Sequence, residues 1–377
     1  VADGARWADW IDERLAAIDA HDRRRRVVAF DAVGPVGRLP DGREVVSFAS
    51  NDYLGLTHHP AVVDAAVAAT RRWGTGSGAS RLVVGSRPVH HDLEAALADW
   101  KGTEAALLFP TGYAANLGVL SALASPGVRI CSDELNHASI IDGCRLAAAR
   151  GAEVCVYPHG DTDHLARLLD GAGRSIVVTD GVFSMDGDVA PWTALAAVCA
   201  RHGALLVVDE AHVVLDPLPA PDGVELVRVG TLSKTLGSLG GFVAASRALV
   251  ELLANTARSF VFTTAPTPAD TAAAAAALAV LRSPEGGALV DRLRRHVDTV
   301  RPGHPTPIIP VVVGSERAAL DLSAALRAEG VLVPAIRPPT VPPGTSRLRI
   351  ALSADHTDEQ IATLVEALAR HTERGRR

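Results

Sequence analysis

No Cys-x-x-Cys pair occurs in the chain. Its four cysteines, Cys131, Cys144, Cys155 and Cys199, are scattered through apolar or helix-like stretches. They read as reduced core thiols and not as a metal or redox centre. Positive charge is not in excess: 37 Lys and Arg stand against 43 Asp and Glu, for a net charge of -6. Neither nucleic acid nor an anionic membrane is therefore indicated as a partner. No apolar run approaches the roughly 20 residues needed to cross a bilayer. The first residues include Asp3, Arg6, Trp7, Asp9, Asp12 and Glu13, unlike a signal or transit peptide. A cytoplasmic protein is expected. Aromatic residues are scarce at 4%, whereas alanine and glycine are abundant. There is no internal repeat and no long low-complexity segment.

What is present is ordinary for a globular protein, with 48% hydrophobic and 21% charged residues. At 377 residues the chain can bury a large core, in two lobes or in one α/β domain with an appendage. Residues 5–26 read as an amphipathic helix with Trp7, Trp10, Ile11, Leu15 and Ile18 on one stripe. A Pro40-Asp41-Gly42 turn and a strand over 44–49 follow. Short apolar runs then alternate with helical segments, at 105–109, 129–131, 153–157, 175–179, 204–208, 226–229 and 241–245. Near-continuous apolar strands of this kind predict a mostly parallel sheet covered on both faces. The Pro284-Glu285-Gly286-Gly287 run reads as a lobe boundary. Beyond it come strands at 308–313, 331–336 and 347–352 and helices at 288–300, 316–329 and 357–371. The expected division is an N-terminal helix and arm (1–45), a large α/β domain (46–283) and a small α+β domain (284–377).

The residues that carry chemistry cluster after these strands. The apolar run ending in Val207-Val208-Asp209-Glu210-Ala211-His212 brings a carboxylate and an imidazole to a strand end. A buried acid there is costly unless paired. One strand later stands Gly230-Thr231-Leu232-Ser233-Lys234-Thr235. A lysine amine and a strand-end aspartate suit pyridoxal 5'-phosphate (PLP): the amine joins the cofactor's aldehyde, and the carboxylate keeps the ring nitrogen protonated. A nucleotide-binding P-loop would need glycine at 228 and 233, where the chain has Arg228 and Ser233. Phe109-Pro110-Thr111-Gly112-Tyr113 opens a helix after a strand, and such N-termini bind phosphate. His137 falls at another probable helix start, and Ser184 in a polar turn after a strand. The Gly-rich stretch 74–81 follows a helix, so it lacks the context of a dinucleotide fold. No Gly-x-Ser-x-Gly or His-Glu-x-x-His motif occurs. His58-His59, His90-His91 and the pair His159 and His164 lack a third metal ligand, so no metal is expected.

Taken together, these segments resemble the α-oxoamine synthases, a branch of the fold-type I PLP enzymes. The resemblance runs from Ser50-Asn51-Asp52-Tyr53-Leu54-Gly55 through 76–81, Asn136-His137-Ala138-Ser139, 181–188, Asp209-Glu210-Ala211-His212 and Thr231–Lys234, to 337–342 and Arg347-Leu348-Arg349. It implies a seven-stranded, mostly parallel sheet with a smaller C-terminal α+β domain, and a homodimer with shared sites. The Arg337-Pro338-Pro339-Thr340-Val341-Pro342 run resembles members that condense L-alanine with a pimeloyl thioester, of coenzyme A or acyl carrier protein, and release CO2. Other members make 5-aminolevulinate, 2-amino-3-ketobutyrate or 3-ketosphinganine. A plain aminotransferase and a PLP-fold regulator are the remaining alternatives, and the latter would need a DNA-binding module.

The resemblance also implies roles for single residues. Lys234 and Asp209 are as above, His212 meets the phenolic oxygen and His137 stacks on the ring. Gly112, Tyr113 and Thr231 bind or flank the phosphate, and Ser184 lies beside the cofactor oxygen. Thr264, or its neighbour Thr263, reaches the phosphate of a partner subunit. Arg349 takes the amino-acid carboxylate. Thr340 and Arg337 meet the far end of the acyl chain, and an arginine of the N-terminal cluster, Arg23 or Arg24, touches substrate. One segment departs from the family: a Gly-Thr-Gly-like loop is replaced after His212 by Val213-Val214-Leu215-Asp216-Pro217-Leu218-Pro219.

Overall fold

The structure, a computed structural model, describes residues 6–374. Asp3 and Ala5, which belong to the expected N-terminal features, lie outside the described residues. The chain falls into two compact units, one of residues 51–295 and one joining the stretch up to 50 with that from 296 onward.

The larger unit is organised by seven strands: β1 (Ala105–Phe109), β2 (Val128–Asp133), β3 (Glu153–Tyr157), β4 (Arg174–Asp180), β5 (Leu205–Asp209), β6 (Leu226–Thr231) and β7 (Gly241–Ala245). Their order across the sheet is β1-β7-β6-β5-β4-β2-β3. β6, β5, β4, β2 and β3 pair in parallel, and β7 runs antiparallel to both β1 and β6. Side chains alternate between the faces. Val178, Val207 and Val229 enter one apolar cluster with helices Gly112–Leu123, Ala138–Ala148 and Arg247–Thr256. Val177, Leu206 and Val208 enter a second with helices Thr162–Leu169 and Trp192–His202. Both faces being buried explains why the strands read as unbroken apolar runs. The register sets Asp209 beside Asp180, and Gly241 beside both Thr231 and Phe109. One edge of the sheet therefore gathers the polar ends of β1, β4, β5 and β6.

The smaller unit holds a three-stranded antiparallel sheet, with Ser346–Ala351 between Ile308–Gly314 and Ala335–Ile336. A second sheet joins residues 31–33, 36–38 and 44–47 to Val331–Leu332. The strand expected over 331–336 is thus two short strands in different sheets, divided at Pro334, which has no N–H to donate. The expected 5–26 helix spans only Trp7–Asp19, and Asp22 adopts a positive φ of 53°, a conformation aspartate tolerates. Its apolar stripe is largely exposed, Trp7 at 76%. The Pro284–Gly287 run is no linker: it forms the first turn of helix Pro284–Val300, where proline is well placed. Gly286 lies so close to the preceding helix that a Cβ there would stand 2.3 Å from the Leu281 carbonyl oxygen. Among the described residues, no helix is long and apolar enough to cross a membrane.

Candidate active site

The polar sheet edge of the larger unit assembles the residues singled out from the sequence. Lys234 lies in the turn between β6 and β7, and its Nζ is 2.8 Å from His212 Nε2. His212 Nδ1 is in turn 2.6 Å from the Tyr53 hydroxyl, which donates to Asn51 Oδ1 at 3.2 Å. A hydroxyl donating to Asn51 accepts from Nδ1–H, which leaves Nε2 as acceptor for the lysine. Lysine, imidazole and phenol form one hydrogen-bonded line.

Asp209 ends β5 and is buried. Its Oδ1 accepts from the Ala211 N–H at 2.9 Å and its Oδ2 from Asn116 Nδ2 at 2.6 Å. Asn116 is placed by helix Gly112–Leu123 and also donates to Ser139 Oγ at 2.8 Å. That hydroxyl is 2.8 Å from His137 Nδ1, so one network ties Asp209 to His137. Part of the His137 surface is open, but the dense protein around the imidazole strips its hydration. That burial lowers its pKa, with Asp209 opposing and Lys234 reinforcing the shift. The ring is neutral near pH 7. Asp180, alongside Asp209, accepts from the His137 backbone N–H at 2.8 Å. Burial, and then the charge of Asp209, push the Asp180 carboxyl well above the ordinary carboxylate range.

The phosphate-binding expectation also has a physical basis. Thr111 caps helix Gly112–Leu123 by accepting from the Ala114 N–H at 3.0 Å, which leaves the first N–H groups facing outward. Gly241 passes directly beneath: a Cβ there would sit 2.4 Å from the Gly112 nitrogen. Thr231 lies beside Gly112, with its Oγ1 2.7 Å from Ser233 Oγ. Tyr113 donates its hydroxyl to Asp142 and packs edge-on to the His137 ring. Ser184 is half-buried in a turn after β4 that is closed by the Gly187 N–H donating to the Phe183 carbonyl at 2.8 Å. Thr264 is exposed on a loop, and Thr263 is partly buried. The departing 213–219 segment folds back on its own unit. Trp192 Nε1 donates to the Pro219 carbonyl at 3.0 Å, and Arg294 pairs with Asp216 at 2.8 Å.

A cationic N–H fits this site. Asn116 Oδ1 is buried with no hydrogen-bond partner next to the Asp209 carboxylate, so two acceptors await a donor. The pyridinium of PLP is such a donor, the helix start suits its phosphate, and Lys234 suits its aldehyde.

The sequence model of the family described as aminotransferase class I and II matches residues 43–368. The chain belongs to that family, within its α-oxoamine synthase branch. An 8-amino-7-oxononanoate synthase from Anaeromyxobacter dehalogenans (strain 2CP-1 / ATCC BAA-258) is 50% identical over 384 residues, covering 96% of this chain and 95% of its own. One from Geobacter sulfurreducens is 49% identical over 355 residues, covering 88% and 90%. Among solved structures, a serine palmitoyltransferase from S. paucimobilis with bound PLP superposes with a TM-score of 0.88 at 29% identity, covering 96% of each chain. The fold expected of the branch, with its mostly parallel seven-stranded sheet, is the fold observed.

Residues of the smaller unit make their own arrangement. Arg349 is buried on strand Ser346–Ala351, two positions from buried Arg347. Arg337 donates to the Asp22 carbonyl, and Arg25 Nη2 donates to Thr340 Oγ1 at 3.2 Å. Arg23 pairs with Glu316 at 2.8 Å and Arg24 with Asp19 at 3.1 Å. Arg25, the next residue in the cluster, is thus the arginine that contacts Thr340. Three site residues of the larger unit escaped the sequence reading as individuals: Tyr53, Asn116 and Asp180. Nothing local to any of them names its partner.

Proposed function

We propose that this protein is an 8-amino-7-oxononanoate synthase: a PLP-dependent acyltransferase of biotin biosynthesis that condenses L-alanine with a pimeloyl thioester and releases CO2. The observation that carries the chemistry is the Lys234–His212–Tyr53 line beside the Asp209–Asn116 acceptor pair. The substrate assignment rests on the relatives at about half identity over nearly the whole chain.

PLP, when bound, supplies the electron sink that makes loss of a proton and of CO2 from an amino acid feasible. Asp209 holds the ring nitrogen protonated, and Asn116 fixes that carboxylate. His137 offers a neutral ring for stacking. Gly112, Tyr113 and Thr231 would hold the phosphate, and Ser184 would lie by the cofactor oxygen. Lys234 would hold the aldehyde in the resting state, and its freed amine would take the α-proton of alanine. His212, in hydrogen-bond reach of Nζ, receives and returns that proton at Nε2, while Tyr53 fixes its tautomer through Nδ1. Arg349 takes the alanine carboxylate as a bidentate partner. Arg337 and Thr340, with Arg24 or the neighbouring Arg25, meet the far end of the acyl chain.

A homodimer and a cytoplasmic location belong to the same reading, with acyl carrier protein as a possible donor of the thioester beside coenzyme A. Phe262 is 71% exposed two residues before Thr264, and Val83 and Val84 are comparably open. Such a patch calls for a protein partner, and a second copy would bring Thr264 to its neighbour's phosphate.

The test is CO2 release from L-alanine, glycine or L-serine with pimeloyl-coenzyme A, alongside titration of the visible spectrum. L-Alanine is expected to be preferred, and preference for glycine with a shorter thioester would refute the substrate. Lys234→Ala is expected to abolish turnover and borohydride labelling, and retained labelling would refute the lysine.

A further inference from the structure

A cavity of ≈ 390 Å³ is lined by Glu210, which follows β5, and by Arg228 of β6. That size is within the range of about 300–1,000 Å³ usual for small-molecule pockets. At its base Glu210 is shared by two cations. Lys101 Nζ is 2.6 Å from Glu210 Oε2, and Arg228 Nη1 pairs with Oε1. The Glu210 and Arg228 side chains are 2% and 5% exposed and that of Lys101 is 11%. Lys101 also rests over the Trp100 ring at 3.6 Å. Two basic side chains share one carboxylate, so the cluster holds a basic group in excess, although burial lowers the Lys101 pKa. Moreover, the Arg228 Nε is buried without a hydrogen-bond partner, and an unmade bond of that kind is costly. The remaining charged liners, Arg282 and Asp291, are exposed at the rim, and Arg282 is tied to Asp99 at 2.7 Å. The walls are apolar: Val213, Val214, Leu215 and Leu218 from the segment that departs from the family pattern, with Val290 opposite.

We infer that this cavity is a second binding site, for a small carboxylate carrying a short apolar chain. The carboxylate supplies the missing acceptor at Arg228 and balances the excess basic group, and the chain lies against the valines and leucines. Thr235, which lines the cavity, adjoins Lys234, and Glu210 sits between Asp209 and His212. The ligand would thus bear on residues adjacent in sequence to the reacting ones. The inference does not depend on which amino acid or thioester the enzyme takes.

Hexanoate is the probe, titrated calorimetrically into holoenzyme saturated with L-alanine, so that the amino-acid site is filled. Hexanol and acetate serve as controls for the charge and the chain. Hexanoate is expected to bind about tenfold or more tightly than either, the scale of one hydrogen bond to a charged group. Arg228→Met and Lys101→Met each leave Glu210 with one cation, a neutral pair compatible with folding. Each is expected to weaken hexanoate about tenfold while retaining cofactor absorbance and circular dichroism. Absence of heat, equal affinity for hexanol, unchanged affinity in both variants, or displacement of hexanoate by L-alanine would each overturn the site.

Discussion

The perturbation with the most readily worked magnitude is removal of His159. This imidazole follows β3 and is held between two carboxylates, with Nδ1 3.1 Å from Asp133 Oδ1 and Nε2 2.7 Å from Asp188 Oδ2. Phe183 packs edge-on to it at 4.3 Å. Asp133 ends β2, and Asp188 belongs to the turn that carries Ser184, so the imidazolium pins that turn to the sheet edge. Hydrogen bonds to Asp133 and then Asp188 raise its pKa from 6.5 to about 10. The folded pKa exceeds the unfolded one, so the stabilisation is complete below about 6.5 and is lost as pH rises towards 10. Within that window only the folded chain holds the proton. Each pH unit then removes about 1.4 kcal/mol. The whole span has an upper bound of about 5 kcal/mol, and screening of a side chain that is 27% exposed reduces this to about 2–3 kcal/mol. The assay is urea unfolding of the wild type and His159→Gln, followed by circular dichroism between pH 6 and pH 10. The stability difference is expected to be largest at pH 6 and to shrink steadily with rising pH. A difference that stays flat, or a His159 ring titrating near 6.5 by NMR, would refute the clasp.

Asn116→Leu removes the amide that donates to Asp209 and Ser139. Loss of a hydrogen bond to a charged group is expected to lower kcat/KM for L-alanine by about tenfold to a hundredfold, with the fold intact by circular dichroism. Glu210→Gln leaves Lys101 and Arg228 without their counter-charge. A loss of about 3–5 kcal/mol in urea unfolding is expected, and a change under about 1 kcal/mol would mean the cluster is solvated. Gly241→Ala forces a methyl to within 2.4 Å of the Gly112 nitrogen and the Thr111 carbonyl carbon. The helix start proposed to receive the phosphate must shift, at a cost of about 1–3 kcal/mol, and the PLP dissociation constant is expected to rise about tenfold while Gly287→Ala, in open space, leaves it unchanged.

What could be read from the sequence follows from how a parallel sheet is built. Every strand before β7 runs the same way, so whatever polar residue follows an apolar run arrives at the same edge. Asp209, His212 and Lys234 were legible for that reason: each is a local departure from an apolar strand, and their mutual geometry is imposed by strand pairing. The same logic made Gly112 and Ser184 visible. Tyr53 and Asn116 obey no such rule. Tyr53 reaches His212 across 159 positions and Asn116 reaches Asp209 across 93, one from an irregular segment and one from within a helix whose own pattern is simply apolar. Asp180 ends an apolar strand, but its raised pKa comes from burial and then from the Asp209 charge that the β4–β5 register sets beside it. The N-terminal arginines are a different case: past Asp22 the chain has no periodicity, so nothing local marks Arg25 as the one that contacts Thr340. Arg228 is the instructive case. In sequence it only disqualified a nucleotide loop. In the folded chain it is a buried cation with an unsatisfied N–H, and its meaning lies entirely in Lys101 and Glu210, which other elements bring to it.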